Sequence, residues 1–243
     1  MGWREPPDPL FLDAAAAGER LVARIRLVAV GVIAALQLAP GADRRADQAT
    51  IALLLVALAV AAAVYGLLTR RYEPWIAFAS SACDVTFVTL GLLSLALVGK
   101  PHAAVNSLSI FEIYFLIVGC SALRYDRRVC VFTGALACLE YGGLLLYVTQ
   151  RWGLTNPDFG PYGDALFSPY SQAARLAVLA LATALATLSV ERARELRRLS
   201  AIDRLTGLHN RGAFGDRLEE ESSRARRHHR TFTVALVDVD AFK

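Results

Sequence analysis

Six stretches of this sequence are long and apolar enough to cross a lipid bilayer, and that repetition limits the fold more than any other feature. They cover roughly residues 21–39, 50–69, 75–98, 105–123, 129–149 and 172–190. A helix needs about 20 mostly apolar residues to traverse the hydrocarbon core. Lipid offers backbone N–H and C=O groups no outside partner, so each segment must satisfy its own, as a helix does. The first stretch is the least regular, because Arg24 and Arg26 lie in its opening turns. Their aliphatic stems let the charged heads reach toward the interface. The composition agrees, at 55% hydrophobic residues and a mean hydropathy of +0.41, against about 45–50% apolar residues in an average soluble domain.

The net charge of +4 says less than where the charges sit. Arginines cluster between the apolar runs and in the last fifty or so residues, a membrane topology with a basic tail and not a nucleic-acid stripe. One set of loops carries Arg4, Arg20, Arg24, Arg26, Arg70, Arg71, Arg124, Arg127 and Arg128. The alternate set carries Arg44, Arg45, Lys100 and Arg151. The richer set is expected in the cytoplasm, which with six spans puts both termini there and the protein in the inner membrane as a multi-pass chain. The opening "MGWREPPDPLFLDAAAAGER" is polar, proline-rich and charged, unlike a cleavable signal peptide. Pro6 stands where a myristoylation signal has Ser or Thr.

Three carboxylates fall near the middle of apolar runs: Asp84, Glu112 and Glu140. Intramembrane acids are costly and are functional candidates by default. No Lys or Arg shares their central positions, and Arg175 lies nearer the outer end of the last span. One reading gathers the acids with Thr86, Thr89, Ser109 and Tyr114 into a polar pocket for a small ligand, a cation or protons. The other makes them hydrogen-bonding groups that fix helix packing. The four cysteines, Cys83, Cys120, Cys130 and Cys138, lie inside apolar runs without metal-site spacing and read as small buried residues. The outer loop 150–171, "QRWGLTNPDFGPYGDALFSPYS", is rich in Gly, Pro and aromatics. It is either a lid over a ligand or an aromatic belt at the headgroup level.

After Val190 the composition changes. "ERARELRRLSAID" has no Gly or Pro and reads as the last membrane helix continuing as a signalling helix, with Leu196, Leu199 and Ile202 as a short seam. Gly207 marks a turn and Asn210 a helix N-cap, with Phe214, Leu218 and Ala225 roughly on one face. "RARRHHR" falls at that helix's C-terminal end, where cations complement the dipole. "TFTVALVDVD" is β-branched and apolar, and is expected to be a buried strand. Asp238 and Asp240, two apart on such a strand, share a face. Paired carboxylates suit a hard cation such as Mg²⁺, which takes oxygen ligands and substrate phosphates.

The stretch "DRLTGLHNRGAF", followed some 25 residues on by "VALVDVDAFK", resembles the opening of the GGDEF family of diguanylate cyclases. Asp203, Leu205, Thr206, Gly207, Leu208, Asn210 and Arg211 match its first motif. Asp238, Asp240, Phe242 and Lys243 match its second. The resemblance covers about 203–243 and implies a domain that condenses two GTP into cyclic di-GMP, as a homodimer using Mg²⁺. It implies that Asp238 and the Val239 carbonyl hold the metal and that Phe242 and Lys243 face the GTP phosphates. It gives Asp203, Leu205, Thr206, Gly207, Asn210 and Arg211 the turn that enters the catalytic domain. The family's Gly-Gly-(Asp/Glu)-Glu-Phe hairpin, which carries a second metal carboxylate, does not occur in these 243 residues. The chain therefore reads as cut short, and as written is expected not to make cyclic di-GMP.

The expectation is thus a mainly α protein: a polytopic six-helix transmembrane bundle, a signalling helix, then the first helix and strand of an incomplete α/β GGDEF domain. Its parts are a cytoplasmic segment 1–20, a sensor domain 21–190, a linker 191–202 and the domain start 203–243. Expected partners are membrane lipid, a second copy, GTP and a sensory ligand of unknown identity, and no nucleic acid. The alternatives are a non-catalytic membrane sensor or interaction module and, further off, a small transporter.

Overall fold

The computed structural model describes residues 9–38, 48–70, 73–154, 167–200, 203, 205–228 and 230–238. The chain divides into two compact units, Ala14–Ala193, and Arg194–Lys243 taken with Met1–Asp13. Helices dominate: α1 Pro9–Leu38, α2 Gln48–Arg70, α3 Pro74–Leu97, α4 Pro101–Asn106, α5 Leu108–Ala122, α6 Arg127–Trp152, α7 Pro169–Ser200 and α8 Arg211–His228.

Local chemistry sets the boundaries in the larger unit. Pro74 and Pro101 open α3 and α4, where a missing N–H costs nothing. Asp126 caps α6 by accepting from Arg128 N at 2.9 Å. Gly153, at φ 56°, closes the same helix in the left-handed conformation, which glycine adopts without strain. Ser107 interrupts what would otherwise be one span. Its hydroxyl accepts from Ile110 N at 3.4 Å and starts α5 directly after α4 ends at Asn106.

Five helical stretches among the described residues are long and apolar enough to cross a membrane: Ile51–Leu68, Pro74–Leu97, Pro101–Ala122, Arg127–Trp152 and Pro169–Leu196. They coincide with the second to sixth stretches read from the sequence, and the third of them is α4 and α5 together. α1 covers the first expected span as a helix but is not among the five. Glu19, Arg20, Arg24 and Arg26 dilute its apolar character, and 39–47 lie outside the described residues. The core lies between α3, α5 and α6, with Val85, Leu92, Tyr114, Val118, Tyr141 and Val148 buried. Phe111 packs on Tyr141 with ring centroids 4.7 Å apart.

α1 joins this bundle through charge. Glu19 is fully buried and pairs with Arg124, itself 2% exposed, in the turn after α5. Arg124 also donates to Ser81 and, at 3.1 Å, to Ser80, while Ser80 donates to Glu19 at 2.8 Å. The approach is close. A Cβ on Gly18 would collide with the Leu123 carbonyl, so glycine is required there.

The tail is built differently. Asn210 caps α8, its Oδ1 accepting from Ala213 N at 3.0 Å, as the sequence suggests. On α8, Arg224 pairs with Glu220 and Glu221 at 3.0 and 2.8 Å; such exposed pairs add only tenths of a kcal/mol. Residues 230–238 are exposed and form no strand, so the expected strand at 231–240 is not seen among the described residues. A strand needs a partner for its backbone groups, and no partner strand occurs among the described residues. Leu205 and Leu236 remain more than nine-tenths exposed.

Breaking a buried ion pair from one side strands a charge and typically costs about 3–5 kcal/mol. Arg124→Ala and Glu19→Ala should each lower the melting temperature markedly in lipid nanodiscs. The double change Glu19→Gln with Arg124→Met should recover much of the loss, measured by thermal unfolding on tryptophan fluorescence.

Candidate functional site

The three intramembrane acids take three different environments. Glu140 on α6 accepts from Thr86 at 2.8 Å and from Thr89 at 2.5 Å, both on α3. Thr89 in turn lies 2.7 Å from the Tyr114 hydroxyl on α5. Asp84 is drawn instead to α1: Arg26 Nη2 donates to Asp84 Oδ2 at 2.6 Å, and Nε lies 2.6 Å from Oδ1. Glu112 and Ser109 are exposed on α5. The structure therefore assembles Glu140, Thr86, Thr89 and Tyr114, and does not bring Glu112 and Ser109 to them. Arg26 is the basic partner of Asp84, although the sequence shows no Lys or Arg at the depth of that acid. The signal available was one arginine and one aspartate in different apolar runs, but nothing in a linear pattern says that two such residues meet.

A second polar group surrounds the break at Ser107. Ending α4 frees the carbonyls of Val105 and Asn106, and α7 answers them. Arg175 Nη1 donates to Val105 O at 2.6 Å and Nη2 to Asn106 O at 3.2 Å. Gln172 Nε2 donates to Val105 O at 3.2 Å, and Gln172 Oε1 accepts from the Tyr141 hydroxyl at 2.6 Å. The guanidinium of Arg175 also lies 5.1 Å from the Phe111 ring centroid, within cation–π range. Interrupted backbone at membrane depth is tolerated only where protein re-satisfies it, and here Arg175 and Gln172 do so. Of the expected outer loop, residues 155–166 lie outside the described residues.

A cavity of about 300 Å³ opens between α1, α2, α3 and α5. Its wall is almost wholly aliphatic and aromatic, including Ile33, Leu54, Val60, Phe87 and Ile113. Arg26 and Asp84 contribute the charge. The four cysteines are free thiols, with Cys130 buried and Cys83 exposed.

In the tail, Asp203 organises a turn. Its Oδ1 accepts from Thr206 N at 2.9 Å, Thr206 Oγ1 at 3.0 Å and Leu205 N at 3.0 Å. Its backbone closes the loop, with Asp203 N donating to Leu208 O at 2.8 Å and Gly207 N donating to Asp203 O at 2.9 Å. Gly207 takes φ 68°. The Thr206 amide and hydroxyl, and then the Leu205 amide, hold the Asp203 carboxyl below the usual carboxylate range. Arg211 is the first residue of α8. This turn and the capped helix after it fall within residues 200–243, which match the family model described as "Diguanylate cyclase, GGDEF domain". Over this segment the chain is similar to the start of that domain. No curated protein and no solved structure gave a significant match.

Of the metal and phosphate residues implied by the GGDEF resemblance, Asp238 is exposed at the end of the described tail. Val239, Asp240, Phe242 and Lys243 lie outside the described residues. No group of three or more His, Cys, Asp or Glu side chains gathers among the described residues. The donor chemistry still fits Mg²⁺, since a carboxylate and a backbone carbonyl are the hard oxygen ligands this ion takes.

The Asp203 turn should respond to acid with a definite sign. A carboxyl whose folded pKa is depressed stabilises the fold fully above its unfolded value, here 3.8, and loses that contribution as pH falls through the lower folded value. Amide hydrogen exchange at Leu205 and Thr206 should therefore lose protection only below about pH 4. Asp203→Ala should remove that protection at every pH.

Proposed function

We propose that this chain is the membrane-embedded input part of a diguanylate cyclase, with the start of the catalytic domain at its C-terminal end. The observation that carries this reading is the sequence match at 200–243 behind five helices fit to cross a membrane. On this reading 21–190 is the sensor, 191–202 the signalling linker and 203–243 the entry to the GGDEF domain. α1 is the sixth span. The Glu19–Arg124 and Arg26–Asp84 pairs support its entry, because a paired charge in a bundle interior costs far less than one facing lipid. The arginine-rich loops place both termini in the cytoplasm, where GTP is available.

The chemistry follows from the family resemblance. Two GTP-bearing subunits meet face to face. The 3′-hydroxyl of each nucleotide attacks the α-phosphate of the other, and pyrophosphate leaves from each. Asp238 and the Val239 carbonyl would hold Mg²⁺, which supplies charge neutralisation at the phosphates. Phe242 and Lys243 would border those phosphates, Lys243 as a point charge. Positioning carries most of the work in phosphoryl transfer, which gives the rigid Asp203 turn its purpose: it fixes where the domain begins. The Gly-Gly-(Asp/Glu)-Glu-Phe hairpin is not within residues 1–243. The second reading is a non-catalytic sensor or interaction module.

One assay separates the two. Membranes carrying residues 1–243 alone, given GTP and Mg²⁺, should form no cyclic di-GMP. The same chain continued through its downstream coding sequence should form it. Asp238→Asn in the continued chain should lower the rate by roughly a hundredfold or more. A stop codon after Lys243, or a continued chain without turnover, would favour the non-catalytic module.

A further inference from the structure

We propose that the cavity between α1, α2, α3 and α5 binds one medium-chain fatty acid, with its carboxyl at Arg26. The shape argues for a single chain. The lining runs from Val22 to Ile33 on α1 and from Ser80 to Gly91 on α3, about 16 Å along each helix at 1.5 Å per residue. The space is therefore long, parallel to the helices, and walled by hydrocarbon. At about 300 Å³ it stands at the lower limit of small-molecule pockets. One acyl chain of medium length fits such a space, and the second chain of a bilayer phospholipid does not.

The head group is assigned by what Arg26 has left to give. Its side chain is 9% exposed and lines the cavity. Asp84 occupies Nη2 and lies beside Nε, and Nη1 makes no hydrogen bond among the described residues. The Arg26 atom that is buried without a hydrogen-bond partner is Nε, an unfavourable state for a guanidinium donor, and a carboxyl oxygen at that edge of the cavity supplies an acceptor. Asp84 already balances the Arg26 charge, so the carboxyl enters protonated; an ionised one would add an uncompensated buried negative charge. A plain alkane would fill the same volume and leave Nε unmet. The binding stands on this geometry alone; only its meaning as a sensory input rests on the proposed membrane sensor.

The test uses the full chain in phosphatidylcholine nanodiscs with a diazirine-bearing analogue of lauric acid, photolysed, digested and read by mass spectrometry. Labelling should saturate, map to cavity residues such as Val60 or Phe87, and fall at least tenfold with excess lauric acid. Dodecane should compete at least tenfold less well. Arg26→Gln should remove that difference, and Ala57→Trp should abolish labelling. Gly91→Leu fills the cavity from the opposite wall, where a Cβ would meet only Leu53 Cδ2 at 3.9 Å and Ile110 Cγ2 at 4.0 Å. It serves if Ala57→Trp loses its cooperative melting transition. Labelling that persists in either folded filling variant overturns the proposal. So does labelling spread over outward residues such as Leu181 and Leu188, or equal competition by dodecane in the unaltered protein. Cyclase assays play no part in this readout, so its failure is distinct from failure of the cyclase reading.

Discussion

The buried pair between Glu19 and Arg124 is what the larger unit depends on for its first helix. Desolvating both ions is expensive, and the attraction between them offsets it only when the remaining donors and acceptors are met. Here they are met: Ser80 and Ser81 take up the guanidinium, and Ser80 turns back to the carboxylate. The result is specific before it is stabilising. An apolar α1 could slide or rotate against α3, whereas an α1 carrying Glu19 has one depth and one azimuth at which its acid is satisfied. Gly18 sharpens this, since the helix backbone must come up against the Leu123 carbonyl for the acid to arrive. Arg26 then meets Asp84 further along the same helix, so two charges in α1 are answered by one bundle.

The break at Ser107 follows the same economy from the backbone side. A continuous helix would leave no orphan carbonyls, and Arg175 and Gln172 would be stranded polar groups on α7. A broken helix without them would leave Val105 and Asn106 unsatisfied. Together they close a polar knot inside an apolar core, next to the aromatic cluster of Phe111, Tyr114 and Tyr141. The knot joins α4, α6 and α7 by hydrogen bonds that lipid cannot replace.

How much of this was legible in the sequence depends on the range of the interaction. The five apolar helices were, because twenty successive residues of one character need no partner to be recognised. The Asp203 turn and the Asn210 cap were as well, being made of residues within a few positions of each other. Glu19 with Arg124, Arg26 with Asp84 and Arg175 with Val105 were not, since each joins positions far apart in the chain and only the packed helices bring them together. Asp84, Glu112 and Glu140 occupy separate environments for a related reason. Similar depth along a run says nothing about azimuth, and azimuth separates an acid facing threonines from one facing outward. The strand expected at 231–240 rests on local β character alone, and among the described residues 231–238 have no paired neighbour to form a sheet with.

Gly134 on α6 receives the side chain of Thr183 on α7 so closely that even a methyl group at that point would overlap it. Such an indentation acts as a fulcrum. Axial sliding of α7 would have to drag a branched side chain over backbone on either side of the notch, while tilting about the contact keeps Thr183 seated. The geometry of this one residue pair therefore selects swivelling over piston travel as the motion open to the last helix of the bundle.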